Sequence, residues 1–284
     1  MNSFMFDEPR ENEFTQGTVF SCAYAEDYPD SSVYGLVITA RCDAAQDKAP
    51  IFSYIPVVPL HDWVLCDGAN NAMDRIDADC YNTLKNYLKK ASLSESLLET
   101  KAVDEIYDAH FKVKESERDW AAPCAKMRAT MENHVKNQRL RTSLEAKEER
   151  RLHLAANSGK VDGVIKELSG NRLAGFYLLR EMPSLNGDRA SYVALLREIH
   201  HIPTNLAREI VNGLAKDVWV ARQENNMRCP RFVGDSDLAA PVAKLKSPWI
   251  EHLMQNFTML FARIGVADND YAAVRQSLAS IGLG

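Results

Sequence analysis

The chain has 284 residues, of which 46% are hydrophobic and 26% charged, and its formal net charge is −5. This composition is too apolar for general disorder and too charged for an integral membrane protein, and no apolar run approaches the ~20 residues that cross a bilayer. The acidic balance argues against a protein whose whole surface wraps nucleic acid, although it leaves room for a local basic face.

Two features of the sequence predict a cytoplasmic protein. Residues 1–14 mix phenylalanine with acidic residues and lack the basic and apolar regions of a signal peptide. The cysteines form no C-x-x-C pair, so in a reducing compartment we expect mostly free thiols. They are Cys22, Cys42, Cys66, Cys80, Cys124 and Cys229.

The segment 17–66 predicts strands. Residues 18–20, 33–39 and 51–60 are rich in β-branched and aromatic side chains, and turn-forming residues at 29–32 and 43–50 separate them. The run from Gly35 to Ile38 is almost continuously apolar, which favours a strand that is covered on both sides.

The segment 68–170 changes to helical spacing, with Pro123 at a helix start or break and helix ends at 157–159 and 169–170. Strand character returns at 175–179 and 192–199, on either side of an Asn-Gly-Asp turn at 186–188. We interpret the order as one β-barrel with inserted helices. The expected parts are 1–67 for the first part of the barrel, 68–171 for the helical insertion, 172–203 for the completing hairpin and 204–284 for a C-terminal helical segment.

In the last part, residues 205–214 predict a short helix and 223–245 a loop. Ser247 is a suitable N-cap with Pro248 at the first helical position, and a broad apolar stripe follows before Gly265. Residues 270–281 are compatible with a last helix.

The β segments, taken in order, resemble the MazF/PemK toxin family. The matching segments are 16–20, 34–39, 55–60 and 191–199. The resemblance implies an α+β fold with a small SH3-like (MazF/PemK-type) β-barrel, here carrying a large helical insertion. Active members cut RNA with an Arg-Pro pair before the second strand and a Thr or Ser near the end of the third. This chain has Ser32-Val33 and His61-Asp62 there, so the resemblance implies a binding platform without the arginine that offsets phosphate charge.

A second resemblance is to uncharacterised bacterial proteins associated with conflict and anti-phage loci. They follow a barrel strand with a Cys-Asp pair and end in a helix that opens with Ser-Pro-aromatic. The matching residues are Cys42, Asp43, Ser247, Pro248, Trp249, Glu251, His252, Leu253, Gln255, Phe257, Phe261 and Arg263. This resemblance implies a genomic neighbourhood and no particular chemistry.

The first candidate site is a set of polar residues at predicted strand ends, which a barrel could bring together. Its members are Arg41, Cys42, Asp43, His61, Asp62, Cys66 and Asp67. Cys42, His61 and Cys66 are residue types that bind zinc, but their spacing matches no zinc ribbon or knuckle. Because free cysteine is commonly a small buried apolar residue and Asp often caps a turn, we favour a structural interpretation and expect no cofactor. A zinc-stabilised module is the alternative.

Two further candidates lie on predicted helices. Arg128 and His134 fit the loose spacing of HEPN ribonucleases, a spacing that chance alone produces often in a chain with many arginines. Glu251 and Gln255 lie one turn apart on the last helix, either as a binding edge or as an ordinary polar surface. We interpret His200-His201 as a strand exit rather than as a ligand pair.

The sequence contains no phosphate-binding glycine loop, Ser-His-Asp signature or dinucleotide fingerprint. We therefore expect a non-catalytic component of a bacterial anti-phage or toxin-antitoxin-like system, which binds RNA, DNA or a protein encoded nearby. We expect no binding to membranes. The expected binding residues are Arg41, Asp43, His61, Asp62, Glu251 and Gln255. The alternative is a ribonuclease that uses either Arg41, Asp43 and His61, or Arg128 and His134.

Overall fold

A computed structural model describes residues 4–10, 13–41, 50–142, 146–222, 227–234 and 237–262. In this part of the chain the fold is mixed α/β: an antiparallel, nearly closed barrel-like sheet with most of the helices inserted between its fourth and fifth strands. The five described cysteines are all free thiols. No helix in the described ranges is both long and apolar enough to cross a membrane.

The described strands are β1 (Phe6–Asp7), β2 (Thr18–Phe20), β3 (Tyr34–Val37), β4 (Ile51–Pro59), β5 (Phe176–Pro183), β6 (Arg189–Leu195), β7 (His200–Pro203), β8 (Leu214–Ala215), β9 (Leu238–Ala239) and β10 (Pro241–Leu245). The described α-helices are α1 (Leu60–Leu65), α2 (Asp67–Lys90), α3 (Leu97–Thr100), α4 (Val103–His110), α5 (Ala121–Thr142), α6 (Lys147–Ala156), α7 (Ser158–Ser169), α8 (Thr204–Val211), α9 (Lys216–Val220) and α10 (Trp249–Phe261). A short 3-10 helix, Lys112–Lys114, follows α4.

The main sheet has the strand order β1-β10-β2-β3-β4-β6-β5. β4 pairs with β3 along one edge and divides its other edge between β7 and β6. The two ends of the sheet approach each other, since the backbone N–H of Arg180 on β5 lies 3.3 Å from the sulfur of Met5 beside β1. β8 and β9 form a separate two-stranded sheet.

Alternate side chains of the central strands enter two different cores. One core collects residues from strands all round the sheet, including Val19, Leu36 and Ile55, and adds Ile250 and Leu253 of α10. This is the interior of the barrel. The other core contains their chain neighbours Phe20, Val37 and Tyr54 and extends to α2, α7 and α8. The prediction that the strand around Gly35 is covered on both sides is confirmed, since β3 is buried throughout.

The helical insertion has a third apolar core and a buried polar cluster. Its apolar core joins α2, α4 and α5 around Leu84, Leu88 and Phe111. The polar cluster includes His153 of α6, whose Nε2 lies 2.9 Å from Asn137 Oδ1, while the Asn137 amide donates to the Met73 carbonyl. These hydrogen bonds satisfy polar side chains that burial would otherwise destabilise.

Several sequence predictions of local structure are confirmed. Strands occupy 18–20, 34–37 and 51–59, and the β5–β6 hairpin closes through the Asn-Gly-Asp turn, where the Ser184 N–H donates to the Asp188 carbonyl at 2.8 Å. Helices α6 and α7 end at Ala156 and Ser169, next to the helix ends predicted at 157–159 and 169–170.

Two predictions near the C-terminus are wrong. The expected loop 223–245 contains β9 and β10, and β10 lies inside the main sheet between β1 and β2. The predicted Ser247 cap is displaced by one residue: Pro248 occupies the cap position, and the Ser247 hydroxyl donates to the Glu251 carboxylate at 2.8 Å instead of bonding to the backbone. Arg263, Gly265 and the predicted helix 270–281 lie outside the described residues.

Candidate nucleic-acid interface

The chain segment between α8 and β10, described for residues 212–222, 227–234 and 237–240, lies against the outer face of the sheet near the end of β2. It is held there by backbone hydrogen bonds, among them one from the Arg231 N–H to the Cys22 carbonyl at 2.7 Å. Trp219, Met227 and Phe232 pack their inner sides against the core that contains Tyr54. Because these side chains are only partly buried, their outer sides remain available on the surface.

This segment and Tyr24 line an open surface groove of about 400 Å³. We call it the aromatic-basic groove because aromatic and cationic side chains dominate its lining. The lining residues are Tyr24, Lys216, Trp219, Val220, Met227, Arg228, Pro230, Arg231 and Phe232. A ligand in this groove meets flat apolar rings and positive charges within the same small volume.

The cations of the groove are arranged around the ring of Tyr24. The guanidinium carbon of Arg228 lies 5.3 Å from the ring centroid and that of Arg231 lies 6.0 Å from it, which are cation–π distances. Arg228 also donates to a carboxylate oxygen of Glu26 at 2.5 Å, although both side chains are more than half exposed. The Lys216 ammonium donates to the Gly234 carbonyl at 3.3 Å.

Tyr24 is the fixed element of the groove. Its backbone N–H donates to the Tyr54 hydroxyl at 3.3 Å, and its own hydroxyl donates to Glu26 at 2.9 Å. Burial, followed by the hydrogen bond to Glu26, raises the pKa of the Tyr24 phenol above its usual value of 10.0. The phenol is therefore a neutral hydrogen-bond donor throughout the physiological pH range.

An acid–histidine pair borders the groove behind Tyr24. His200 Nε2 lies 2.6 Å from a carboxylate oxygen of Glu198, and the same oxygen accepts the Glu26 N–H at 2.8 Å. The imidazole ring of His200 packs edge-on against Tyr24, with 5.1 Å between the ring centroids, and lies 5.6 Å from the ring of Tyr54. The His200 side chain is 20% exposed, and the Glu198 side chain is 24% exposed.

The structure does not bring the described members of the first candidate set together. Arg41 follows β3 and lies beyond the Ile51 end of β4, whereas His61 and Asp62 begin α1 beyond the Pro59 end. His61 is mostly exposed and pairs with Asp62 at 3.2 Å. Cys42 and Asp43 lie outside the described residues.

Arg41 acts electrostatically on another predicted binding residue, Glu251. The pKa of Glu251 is lowered first by the hydrogen bond from Ser247 and further by the positive charge of Arg41. Glu251 and Gln255 are both exposed on α10, so this end of the barrel presents an open polar edge.

Cys66 and Asp67 have local structural partners. Asp67 accepts a hydrogen bond from the Tyr28 hydroxyl at 2.6 Å, and burial raises the pKa of its carboxyl group. Burial also raises the pKa of the Cys66 thiol, which disfavours the thiolate that a zinc ion or a nucleophilic reaction requires. Within the described ranges no three His, Cys, Asp or Glu side chains are grouped to hold a metal ion.

Arg128 and His134 have partners on different elements. Arg128 pairs with Glu115 and lies over the Tyr107 ring at 5.3 Å, while His134 pairs with Asp77 of α2 at 3.2 Å. They lie six positions apart on α5, which places them about 120° apart around the helix axis. The helix therefore directs the two side chains to separate neighbours.

Sequence reasoning missed every residue of the aromatic-basic groove. A signal was present, because 216–232 interleaves Lys216, Trp219, Arg228, Arg231 and Phe232, the mixture of basic and aromatic residues that favours nucleic-acid binding. The local pattern around it predicts only a short helix at 205–214 and a loop at 223–245. No model of a known protein family, no curated protein and no solved structure matches the chain.

Proposed function

We propose that this protein binds single-stranded nucleic acid, RNA in particular, in the aromatic-basic groove. The observation that carries the proposal is the grouping of Tyr24, Trp219 and Phe232 with Arg228 and Arg231 around one groove of about 400 Å³. Unpaired bases stack on aromatic rings whatever their sequence, and arginines offset the charge of the phosphates that connect them.

The charge distribution supports this location. The whole chain is acidic, with a net charge of −5, so binding depends on a local cationic surface rather than on the average charge. The basic stretch 126–151, the other candidate surface, is largely neutralised within the protein: Arg128, Arg139 and Arg141 all pair with carboxylates. In the groove, Arg228 also pairs with a carboxylate, that of Glu26, whereas Arg231 lies over the ring of Tyr24.

The barrel that carries the groove is the part of the structure for which the sequence suggests a family. We propose that it is a divergent MazF/PemK-like barrel, which serves as the platform for the groove and lacks the Arg-Pro pair of the active family members. The setting in a bacterial anti-phage or toxin-antitoxin-like system and a protein partner encoded nearby stay predictions. The nearly closed antiparallel sheet supports the barrel part of this proposal.

The test compares two tryptophans by fluorescence anisotropy with a short, labelled, unstructured RNA. Stacking on one aromatic side chain contributes ~1–3 kcal/mol, so Trp219→Ala should weaken binding about 5- to 150-fold. Trp120→Ala is the matched control, because Trp120 is also partly buried and lies 4.4 Å from the Lys114 ammonium, but in the helical insertion.

Circular dichroism of both variants establishes that each is folded. Equal loss of affinity in the two variants, or a loss confined to Trp120→Ala, would place binding outside the groove. If the wild-type protein binds no single-stranded RNA or DNA, the proposal is wrong.

A further inference from the structure

Glu198 and His200 have the arrangement of a proton-transfer pair, and the proposed binding function does not use them. The sequence separates them by a single residue, and their side chains meet at 2.6 Å where the chain turns from β6 into β7. The pair contacts the groove through Tyr24, whose ring packs on His200 and lines the pocket.

We propose that Glu198 and His200 cleave RNA that is bound in the aromatic-basic groove. This inference rests on the proposed function, since the groove has to hold the substrate. The substrate class is single-stranded RNA, because the reaction uses the ribose 2′-hydroxyl, which DNA lacks.

The hydrogen bond between the two side chains assigns their roles. A neutral imidazole that donates from Nε2 to the Glu198 carboxylate has its lone pair on Nδ1. That nitrogen is the base. Glu198 holds the tautomer and stabilises the imidazolium that forms, as carboxylates do for catalytic histidines in general.

The reaction needs no additional reactant. His200 Nδ1 removes the proton from a 2′-hydroxyl, and O2′ forms a bond to the adjacent phosphorus. The bond from phosphorus to O5′ breaks, and the imidazolium returns the proton to the departing oxygen. The products are a 2′,3′-cyclic phosphate and a 5′-hydroxyl end, so atoms, charge and protons balance.

The arginines supply the electrostatic part of the reaction. Negative charge accumulates on the phosphate oxygens as O2′ attacks, and cations placed at those oxygens stabilise the transition state. Arg228 is the candidate, because it lines the groove and hydrogen-bonds both Glu26 and the hydroxyl of Tyr24, the ring that packs on His200. A bound phosphate would compete with Glu26 for its guanidinium group.

A purely structural role makes a different prediction. Glu198 also accepts the Glu26 N–H, so the pair could serve only to fasten the Glu26 segment to the sheet. In that case removing either side chain would lower stability or RNA affinity, and no RNA would be cut by the wild-type protein.

The test incubates the full chain with a labelled single-stranded RNA and with a DNA of the same sequence, and records binding and cleavage separately. We expect both to be bound and the RNA alone to be cut, with 2′,3′-cyclic phosphate ends. Because general base catalysis contributes ~10²–10⁴-fold, His200→Ala and the isosteric Glu198→Gln should each slow cleavage at least about 100-fold while RNA remains bound. His201→Ala is the matched control, since that neighbouring histidine is exposed and bonds Ser53 at 2.9 Å.

The outcomes separate this inference from the proposed function. RNA that is bound but stays intact overturns the cleavage proposal and leaves the binding proposal standing. Cleavage at an unchanged rate in both Glu198→Gln and His200→Ala also overturns it. Failure to bind either nucleic acid overturns both proposals.

Discussion

The contact between Glu26 and Arg228 sets how much positive charge the groove offers to a ligand. Glu26 uses one carboxylate oxygen both for the Tyr24 hydroxyl and for the Arg228 guanidinium. A phosphate that binds Arg228 therefore has to displace the Glu26 carboxylate, because this arginine already has a negatively charged partner. The exchange also leaves Tyr24 as a hydrogen-bond donor beside the incoming ligand.

Glu26→Gln should tighten RNA binding. The substitution removes the competing negative charge, and exposed ion pairs of this kind contribute about 0.2–1 kcal/mol, so the expected gain is about 1.5- to 5-fold. The measurement is an RNA titration at moderate salt. Glu149→Gln, which removes the partner of Arg139 in the helical insertion, should leave affinity unchanged. Weaker binding by Glu26→Gln would show that the arginine does not meet the ligand.

The buried His153 should make stability depend on pH. Burial, and secondly the charge of Lys136, lower the pKa of His153 below its usual value of 6.5. As pH falls below 6.5, the unfolded state takes up the proton first, so the folded state loses stability until its own lower pKa is reached. Above 6.5 the histidine is neutral in both states and stability is retained.

The check is urea unfolding at about pH 7.5 and about pH 5.5, comparing wild-type protein with His153→Gln. The decrease in the free energy of unfolding from the higher to the lower pH should be smaller in His153→Gln than in the wild-type protein, because glutamine cannot titrate. His201→Gln, at an exposed site, should keep the wild-type drop. A His153→Gln protein with the full wild-type drop would contradict the assignment.

The mixture of basic and aromatic residues at 216–232 does not show which single residues form the groove. The chain contains many arginines, and the sequence does not distinguish Arg231, which lies over Tyr24, from Arg139, which pairs with Glu149. What selects Arg231 is a backbone hydrogen bond to Cys22, more than two hundred residues away in the chain. The sequence predicts His200 only as a strand exit, because its partnership with Glu198 and its contact with Tyr24 depend on the turn between β6 and β7.

At the scale of elements, the β2–β3–β4 meander depends on a close contact at one glycine. A Cβ atom on Gly35 would lie 2.3 and 2.4 Å from two carbons of the Phe20 ring and 3.0 Å from Tyr54. These two rings also pack edge to face with their centroids 5.2 Å apart, so neither can move without disturbing the other. The strand therefore requires glycine for space and not for an unusual backbone angle.

Gly35→Ala should destabilise the protein by about 1–3 kcal/mol, the usual cost of forcing an extra methyl group into a packed core. Gly159→Ala is the matched control: a Cβ atom at this position in α7 would have no atom within 4 Å, so the change should be neutral or stabilise by up to about 1 kcal/mol. Urea unfolding followed by circular dichroism measures both. Equal stability of the two variants would contradict the packing described for β3.

Elements with strong local patterns were predictable, whereas those defined by distant partners were not. β2, β3 and β4 are recognisable as apolar, β-branched runs between turn-forming residues. β10 begins with a proline, includes Lys244, and is a strand because β1 and β2 from the other end of the chain lie on its two edges. No local periodicity encodes such a pairing, which explains why the pattern of 223–245 predicts a loop.

At the scale of the whole molecule, the chain returns twice to the same sheet after long excursions. The helical insertion separates β4 from β6, which pair directly, and the segment after α8 separates β7 from β10. That second excursion forms the aromatic-basic groove. The general α+β organisation followed from the sequence, but the position of the groove depends on where the second excursion crosses the sheet.

Locating a crosslink shows whether single-stranded nucleic acid occupies the aromatic-basic groove. A short RNA with photoreactive thiouridine is bound to the full chain, irradiated and digested with trypsin, and the modified peptides are identified by mass spectrometry. We expect adducts on the peptides 217–222, which contains Trp219, and 232–244, which contains Phe232. Adducts confined to the helical insertion, for instance to 121–142, would contradict it.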